Sequence, residues 1–383
     1  MVTPRSFQLH VPEDVLQDLS MRLERVRWPD EPPQEPWSTG TSVSYLQQLV
    51  RYWQDTFDWH AQETMLNRFR QFTVPLAGIE LHFIYEEGRG PKPMPLLLSH
   101  GWPGSVVEFI KIIPMLSDPA RFNGDSADAF TVVAPSLPGY TLSFKPNQPR
   151  FSVERIAEVF ASLMTDVLGY RHFGAQGGDW GAFLASRLGY QFAERMIGIH
   201  LNFLAVRRNL KMWENPTDEE KRYLDQLRHF LSEETGYQWI QGTKPTTLAF
   251  ALTDSPAGLA AWIVEKFHRW TDCHGDIESA VGKDEMLTNI MLYWVTGAIG
   301  SSFWPYWARM HGPWPIPEGA EITVPTGYVE FPKEILRPPR SLAERTYSHI
   351  QRWTKAERGG HFAALEQPEV LVNEIREFFR PLR

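Results

Sequence analysis

Three short stretches carry residue types that could act together on one bond. In "FGAQGGDWGAFLASRLGY" (173–190), Asp179 stands in a small-x-Asp-x-small pattern between an apolar lead-in and a helical run. A strand-to-helix turn that tight needs small neighbours, here Gly177 and Gly181, and it exposes its central side chain as a nucleophile. An aspartate simply capping the helix "WGAFLASRL" is the other reading. "SHGWPGSVVEF" (99–109) follows a buried-strand pattern, where a loop can offer a backbone N–H to a developing oxyanion. The amides of Trp102 and of Trp180 are the candidate donors, and His100 reads as a structural side chain of that loop. "ERGGHFAALEQPEVLVNEIREFF" (357–379) puts His361 on a Gly-Gly loop ahead of a final helix, a context none of the other 11 histidines shares. It is the candidate general base, against an ordinary helix-start histidine. An acid partner belongs between the two, after a late strand, and "TGYVEFPKEILRPP" (326–339) offers Glu330 and Glu334. Glu330 falls inside the strand pattern and Glu334 at its exit, so Glu334 is preferred over a plain surface role.

The elements that must position these groups are legible as an alternation. From about residue 76, strand-like runs at 94–100, 130–140, 172–178, 196–203, 321–331 and about 348–353 are separated by helical patterns. Between 156 and 168, Ile156, Val159, Phe160, Leu163, Met164, Val167 and Leu168 form one apolar helix face. Such alternation predicts an α/β fold: an α/β-hydrolase fold with a mostly parallel sheet and helices on both faces. Residues 1–75 read as an N-terminal helical segment, with helices at 12–26 and 42–59 around the proline-rich "RWPDEPPQEPW". Residues 205–317 are helical in pattern and rich in Trp, Tyr and Leu, as expected of a lid inserted over the catalytic face. The core then comprises 76–204 and 318–383.

Composition narrows the function classes. At 43% hydrophobic and 22% charged, the 383 residues are those of a globular protein. A net charge of −8 without a basic run argues against a nucleic-acid partner. The chain lacks a signal-peptide pattern and a membrane-spanning run, and its single cysteine, Cys273, fits a reducing compartment, so a cytoplasmic location is expected. No HExxH or Cys/His ligand set occurs, so no metal or organic cofactor is expected.

These motifs together resemble the microsomal-type epoxide hydrolases of the α/β-hydrolase superfamily. "RWPD", "HGWPGS", "GGDWG", "TKPTTLAFALTDSPAGLAAWIVEKF", "MLYWVTG", "PTGYVEFPKE" and "GGHFAALEQPE" carry the resemblance over nearly the whole chain. It implies Asp179 as nucleophile, Glu334 and His361 as the acid–base pair, and two lid tyrosines, Tyr237 and Tyr306, as proton donors to the epoxide oxygen. Tyr293 and Tyr328 also lie near these stretches, so the tyrosine choice rests on the resemblance. It also implies a homodimer. The N-terminal anchor of membrane-bound relatives is not expected here.

The implied reaction explains a carboxylate at the turn. A carboxyl with an ordinary pKa of about 3.9 is ionised at neutral pH and can attack an epoxide carbon unaided. The resulting ester keeps a carbonyl that water can attack, whereas a serine would leave a stable ether. The aromatic lid suggests a bulky apolar or aromatic epoxide, a small molecule, as substrate. A haloalkane dehalogenase also uses such an aspartate, with indole or amide N–H donors for halide, and is the rival reading. A non-catalytic binding protein of the same fold is the second.

Overall fold

In the computed structural model, residues 3–206 and 215–383 are described; residues 1–2 and 207–214, within the expected N-terminal segment and lid, lie outside the described residues. Nine strands form one sheet in the order β1-β2-β3-β5-β4-β6-β7-β8-β9. They are β1 (Arg5–Phe7), β2 (Gln71–Leu76), β3 (Ile79–Glu86), β4 (Met94–Ser99), β5 (Phe130–Pro135), β6 (Phe173–Gly177), β7 (Met196–Leu201), β8 (Thr326–Glu330) and β9 (Ile350–Lys355). The pairs from β5 through β4 to β9 are parallel and the three at the β1 end antiparallel. The sheet is therefore mostly parallel, and the fold is that of the α/β hydrolases.

The central strands are continuous apolar runs because both faces are covered. β5 is buried at every position and β4 at all but Pro95. One face packs on α5 (Val153–Ser162) and α6 (Asp179–Gln191), the other on α4 (Ile112–Ser117) and α16 (Pro368–Phe379). The expected strand at 130–140 stops at Pro135, where the chain becomes a buried loop. The expected strand at 321–331 is shortened to β8, because Pro325 breaks it; Ile322 keeps a lone bridge to Tyr347. The predicted helix face at 156–168 is met by α5 and a wider turn closed by Leu168 N–H on the Leu163 carbonyl, 3.0 Å.

The N-terminal segment is more than helical. Besides α1 (Glu13–Glu24), α2 (Val43–Asp55) and α3 (Trp59–Leu66), it supplies β1 and β2 to the sheet. Pro75 disguises β2 as a breaker in the sequence. It is tolerated because the three-residue β1 pairs only with Gln71–Thr73, leaving β2 an edge at Pro75. The β2–β3 hairpin turns on Ala77 and Gly78, both at positive φ (52° and 83°), as a two-residue loop requires.

Between β7 and β8 run α7 (Asp218–His229), α8 (Gly236–Thr243), α9 (Pro245–Asp254), α10 (Pro256–Trp270), α11 (Lys283–Thr296), α12 (Ile299–Ser302) and α13 (Trp304–His311). The N-terminal segment straps onto this insertion. Arg22 pairs with Asp254 at 2.9 Å, the Thr41 hydroxyl donates to the Ala261 carbonyl at 2.7 Å, and the Tyr52 hydroxyl donates to Asp284 at 2.9 Å. Two short helices, α14 (Arg340–Ala343) and α15 (Ala363–Glu366), flank β9. Among the described residues, no single helix is long and apolar enough to cross a membrane.

Candidate active site

Asp179 lies at the carboxyl end of β6, as the first residue of α6, with φ +46°. That left-handed conformation is strained for a residue with a Cβ and is held by its surroundings. Gly178, not Asp179, is the N-cap residue, so the aspartate is not the capping residue of α6. The turn packs so closely on β4 that a Cβ at Gly181 would collide with the Ser99 carbonyl.

Each carboxylate oxygen of Asp179 has a different neighbour. Oδ1 accepts the Trp102 backbone N–H at 2.8 Å, and Oδ2 lies 3.5 Å from His361 Nε2. The Trp180 amide sits in the first turn of α6, where an N–H has no partner four residues back. The loop bearing Trp102 is fixed from both sides. His100 Nε2 accepts the Leu137 N–H (3.1 Å), so its Nδ1–H donates to the Gly101 carbonyl (3.0 Å). Burial holds the His100 pKa down to about 4, which keeps it neutral and structural. From α11, Asn289 donates to the Pro103 carbonyl (2.8 Å) and the Tyr293 hydroxyl to the Gly104 carbonyl (2.7 Å). Tyr293 thus spends its proton on loop geometry.

His361 Nδ1 lies 2.6 Å from Glu334 Oε1, and both side chains are almost wholly buried. Glu330, the alternative acid, points instead to Lys355 at 3.3 Å. Burial disfavours the imidazolium, but the charges of Glu334 and Asp179 and their hydrogen bonds outweigh it. The His361 pKa is therefore raised well above the usual imidazole value. The histidine loop is tied to the end of α10. His361 N–H donates to the Trp270 carbonyl (2.8 Å), so close that a Cβ at Gly360 would strike that same oxygen. Glu366 accepts the Asp272 and Phe362 amides at 2.8 and 3.0 Å.

Above Asp179 lies a cavity lined mainly by aromatic and aliphatic side chains, with Tyr223, Tyr237, Gln238, Tyr306 and Arg309 as its other polar members. Tyr237 and Tyr306 are buried with ring centroids 5.7 Å apart. Tyr237 stacks on Trp102 (5.3 Å) and Tyr306 meets Trp180 edge-on (4.8 Å), so both phenols rest on the residues flanking Asp179. The Tyr237 hydroxyl accepts from Gln238 Nε2 at 2.8 Å, and Gln238 Oε1 accepts from Arg309 at 3.1 Å. Burial, then the neighbouring Tyr237 and Asp179, push the Tyr306 pKa well above 10, keeping it a hydrogen-bond donor.

The structure thus brings Asp179, His361, Glu334, Tyr237, Tyr306 and the amides of Trp102 and Trp180 to one place. The epoxide hydrolase N-terminus family matches residues 4–109 and the alpha/beta hydrolase fold family matches 94–245. A Stigmatella aurantiaca protein assigned to the epoxide hydrolases is 44% identical, over 100% of this chain and 86% of its own. Epoxide hydrolase 1 of Sus scrofa is 36% identical over 98% and 88%. This chain belongs to the epoxide hydrolase family. Among solved structures, juvenile hormone epoxide hydrolase from the silkworm Bombyx mori superimposes with a TM-score of 0.88 at 29% identity, covering 100% of this chain and 95% of that one.

Sequence reasoning missed several neighbours of this epoxide hydrolase site. Gln238 follows Tyr237 in an unremarkable helix, and Arg309 has no motif. Lys266, buried on α10 with its ammonium 4.5 Å from the Tyr237 ring, was not singled out either. The i, i+4 spacing of Lys266 from Trp270, whose ring it also approaches at 5.4 Å, is the one signal the sequence offered. Glu108, within the quoted oxyanion-loop stretch, was passed over.

Proposed function

We propose that this protein hydrolyses an apolar or aromatic small-molecule epoxide to a vicinal diol through an ester on Asp179. The observation that carries the proposal is the division of labour on that carboxylate. One oxygen is already held by the Trp102 amide, the other lies beside His361, and Asp179 borders a cavity that holds the buried phenols of Tyr237 and Tyr306. In the first step Oδ2 attacks a ring carbon and the C–O bond of the epoxide breaks. Tyr237 and Tyr306 hydrogen-bond the leaving oxygen and one gives up its proton. Oδ1 becomes the ester carbonyl without leaving the Trp102 amide.

In the second step His361 takes a proton from water, and the hydroxide adds to the ester carbonyl carbon. The oxyanion on Oδ1 is held by the Trp102 and Trp180 amides. The tetrahedral species collapses, breaking the bond to Oδ2, which leaves with the diol. The proton that the added hydroxide leaves on the Asp179 carboxyl passes to the departing alkoxide, and the His361 proton returns to the tyrosinate, which restores the resting enzyme.

The lid helices α7–α13, carrying both phenols, would close over this reaction. A single turnover in ¹⁸O-water tests it: the first diol should carry no ¹⁸O, its two oxygens coming from the epoxide and from Asp179, and a first diol carrying one ¹⁸O would refute it. A dehalogenase would instead release halide from chloroalkanes. Two buried phenols over the nucleophile favour an oxygen leaving group.

A further inference from the structure

The cavity bearing the tyrosines is not the only one at Asp179. A second, smaller one is lined by Glu108, Gln176, Asn202 and His361, with Phe109, Ala364 and Leu371 among its apolar members. The two cavities have one lining residue in common, Asp179. The phenols belong to the first, the base to the second. That separation matters once the ester has formed. The alkyl group then occupies the first cavity, so a nucleophile reaching the ester carbonyl from there must pass the group it is to displace.

The second chamber is built to hold something polar and small. Gln176 is wholly buried at the end of β6; its amide donates to Asn202 Oδ1 at 2.8 Å, and its Oε1 has no partner among the described residues. A buried acceptor left so is costly unless water satisfies it. Glu108 folds its carboxyl back over Gly104, where any Cβ would collide with it, and engages the Gly101 backbone. Gly101 in turn is pressed against the Asp179 carboxylate. Glu108 and Asp179 therefore sit on either side of one glycine. Burial and the Asp179 charge push the Glu108 pKa up to about 8, so in the resting enzyme it is a neutral acid at pH 7.

Building on the ester mechanism above, we propose that this chamber holds the hydrolytic water, and that Glu108 and Gln176 hold it against His361 Nε2 and the carbonyl carbon of the Asp179 ester. Glu108 changes no bond: His361 accepts the proton, the hydroxide forms the new C–O bond, and Glu108 hydrogen-bonds the water throughout. The first step does not use the chamber.

The test separates the two steps by rapid quench and intact-protein mass spectrometry, with styrene oxide as the probe epoxide. Glu108→Leu should form the ester at the wild-type rate and lose it on the order of 30-fold more slowly, so that ester accumulates. Glu108→Gln, a neutral isostere that can still hydrogen-bond, should restore hydrolysis to within about 5-fold of wild type. A packing role would instead slow both steps alike. Gln176→Met supplies an independent reading should Glu108→Leu fail to fold, with hydrolysis about 10-fold slower at unchanged alkylation. Hydrolysis at the wild-type rate in the folded variants, or both steps slowed by the same factor, overturns the chamber assignment. Absence of any ester in His361→Gln would instead strike the ester mechanism itself, so the two failures are distinguishable.

Discussion

Glu334→Gln isolates what one buried charge does for the second step. Glu334 Oε1 lies 2.6 Å from His361 Nδ1, and neither side chain meets solvent. A carboxylate beside a forming imidazolium, with charge centres roughly 4 Å apart at an effective dielectric of about 20, stabilises it by about 4 kcal/mol. At about 1.4 kcal/mol per tenfold, losing that charge slows proton abstraction by roughly 10³. The corresponding change in serine triads costs about 10⁴, so hydrolysis should fall by 10³ to 10⁴. Ring opening uses the ionised Asp179 and the two lid phenols but not His361 as a base, and should stay within about threefold. The glutamine also has a structural cost. Its oxygen can keep His361 and the Ile335 N–H (2.7 Å), but its NH₂ then takes the place of Oε2, a buried atom with no partner among the described residues. A buried unsatisfied donor costs about 1–3 kcal/mol, so the midpoint of urea unfolding should drop. Stopped-flow tryptophan fluorescence, reporting from Trp102 and Trp180 beside Asp179, should show a normal first phase and an almost absent second one. Mass spectrometry should find the ester. Equal slowing of both phases would refute the assignment of Glu334 to the second step alone.

Three further outcomes are expected. His361→Gln should stop at the ester, visible as a stoichiometric mass adduct, and an unmodified protein after prolonged incubation would count against it. Tyr237→Phe and Tyr306→Phe should each slow ring opening by about 10²-fold, and the double variant should nearly abolish it; undiminished adduct formation in the double variant would remove the phenols from the mechanism. Stability should peak near pH 6.5. Buried His82, His100 and His200, held neutral by burial down to about pH 3, 4 and 3, bind more protons when unfolded, so acid favours unfolding by about 1.4 kcal/mol per pH unit each. Glu108 and Glu366, raised chiefly by burial to about 8 and 7, oppose them only in part. Above pH 6.5 the three histidines are neutral in both states and drop out. The two glutamic acids and the protonated His361 then lose the folded-state protons that favoured the native form. Urea melts at pH 5, 6.5 and 8.5 check this, and a monotonic rise in stability across that range would contradict it.

How far the sequence carried the reading depended on whether a residue's role was written locally. Asp179 and His361 stand on glycine loops whose spacing is imposed by close backbone approaches, to Ser99 and Trp270, so their context is visible in a single chain. Glu334 was separable from Glu330 because a strand exit differs from a strand interior. The tyrosines had no local mark: Tyr237 and Tyr306 meet over the turn only because α8 and α13 pack together. Tyr293, flagged beside them, turned out to donate to the Gly104 carbonyl. β1 and β2 were missed for a similar reason. A three-residue strand carries no periodicity, and Pro75 is acceptable only at an edge that pairing creates.

The electrostatics of the site follow from the same arrangement and tie its two steps together. In the resting enzyme the Asp179 and Glu334 charges hold a proton on His361, which would make it useless as a base. In the proposed mechanism, alkylation would remove the Asp179 charge, and with it one of the two anions that keep the imidazolium charged, while the burial that disfavours that charge would remain. The base would thus be released by formation of the ester it must hydrolyse. This order follows from three distances and the burial around them: 2.6 Å to Glu334, 3.5 Å to Asp179 and 2.8 Å from Asp179 to the Trp102 amide. If it holds, the hydrolysis rate of the wild-type ester should have a lower apparent pKa than the alkaline limb of resting-state stability, because only the resting state contains the second anion. Equal values for the two would mean that Asp179 contributes nothing to the His361 proton affinity, and the coupling between the steps would be lost.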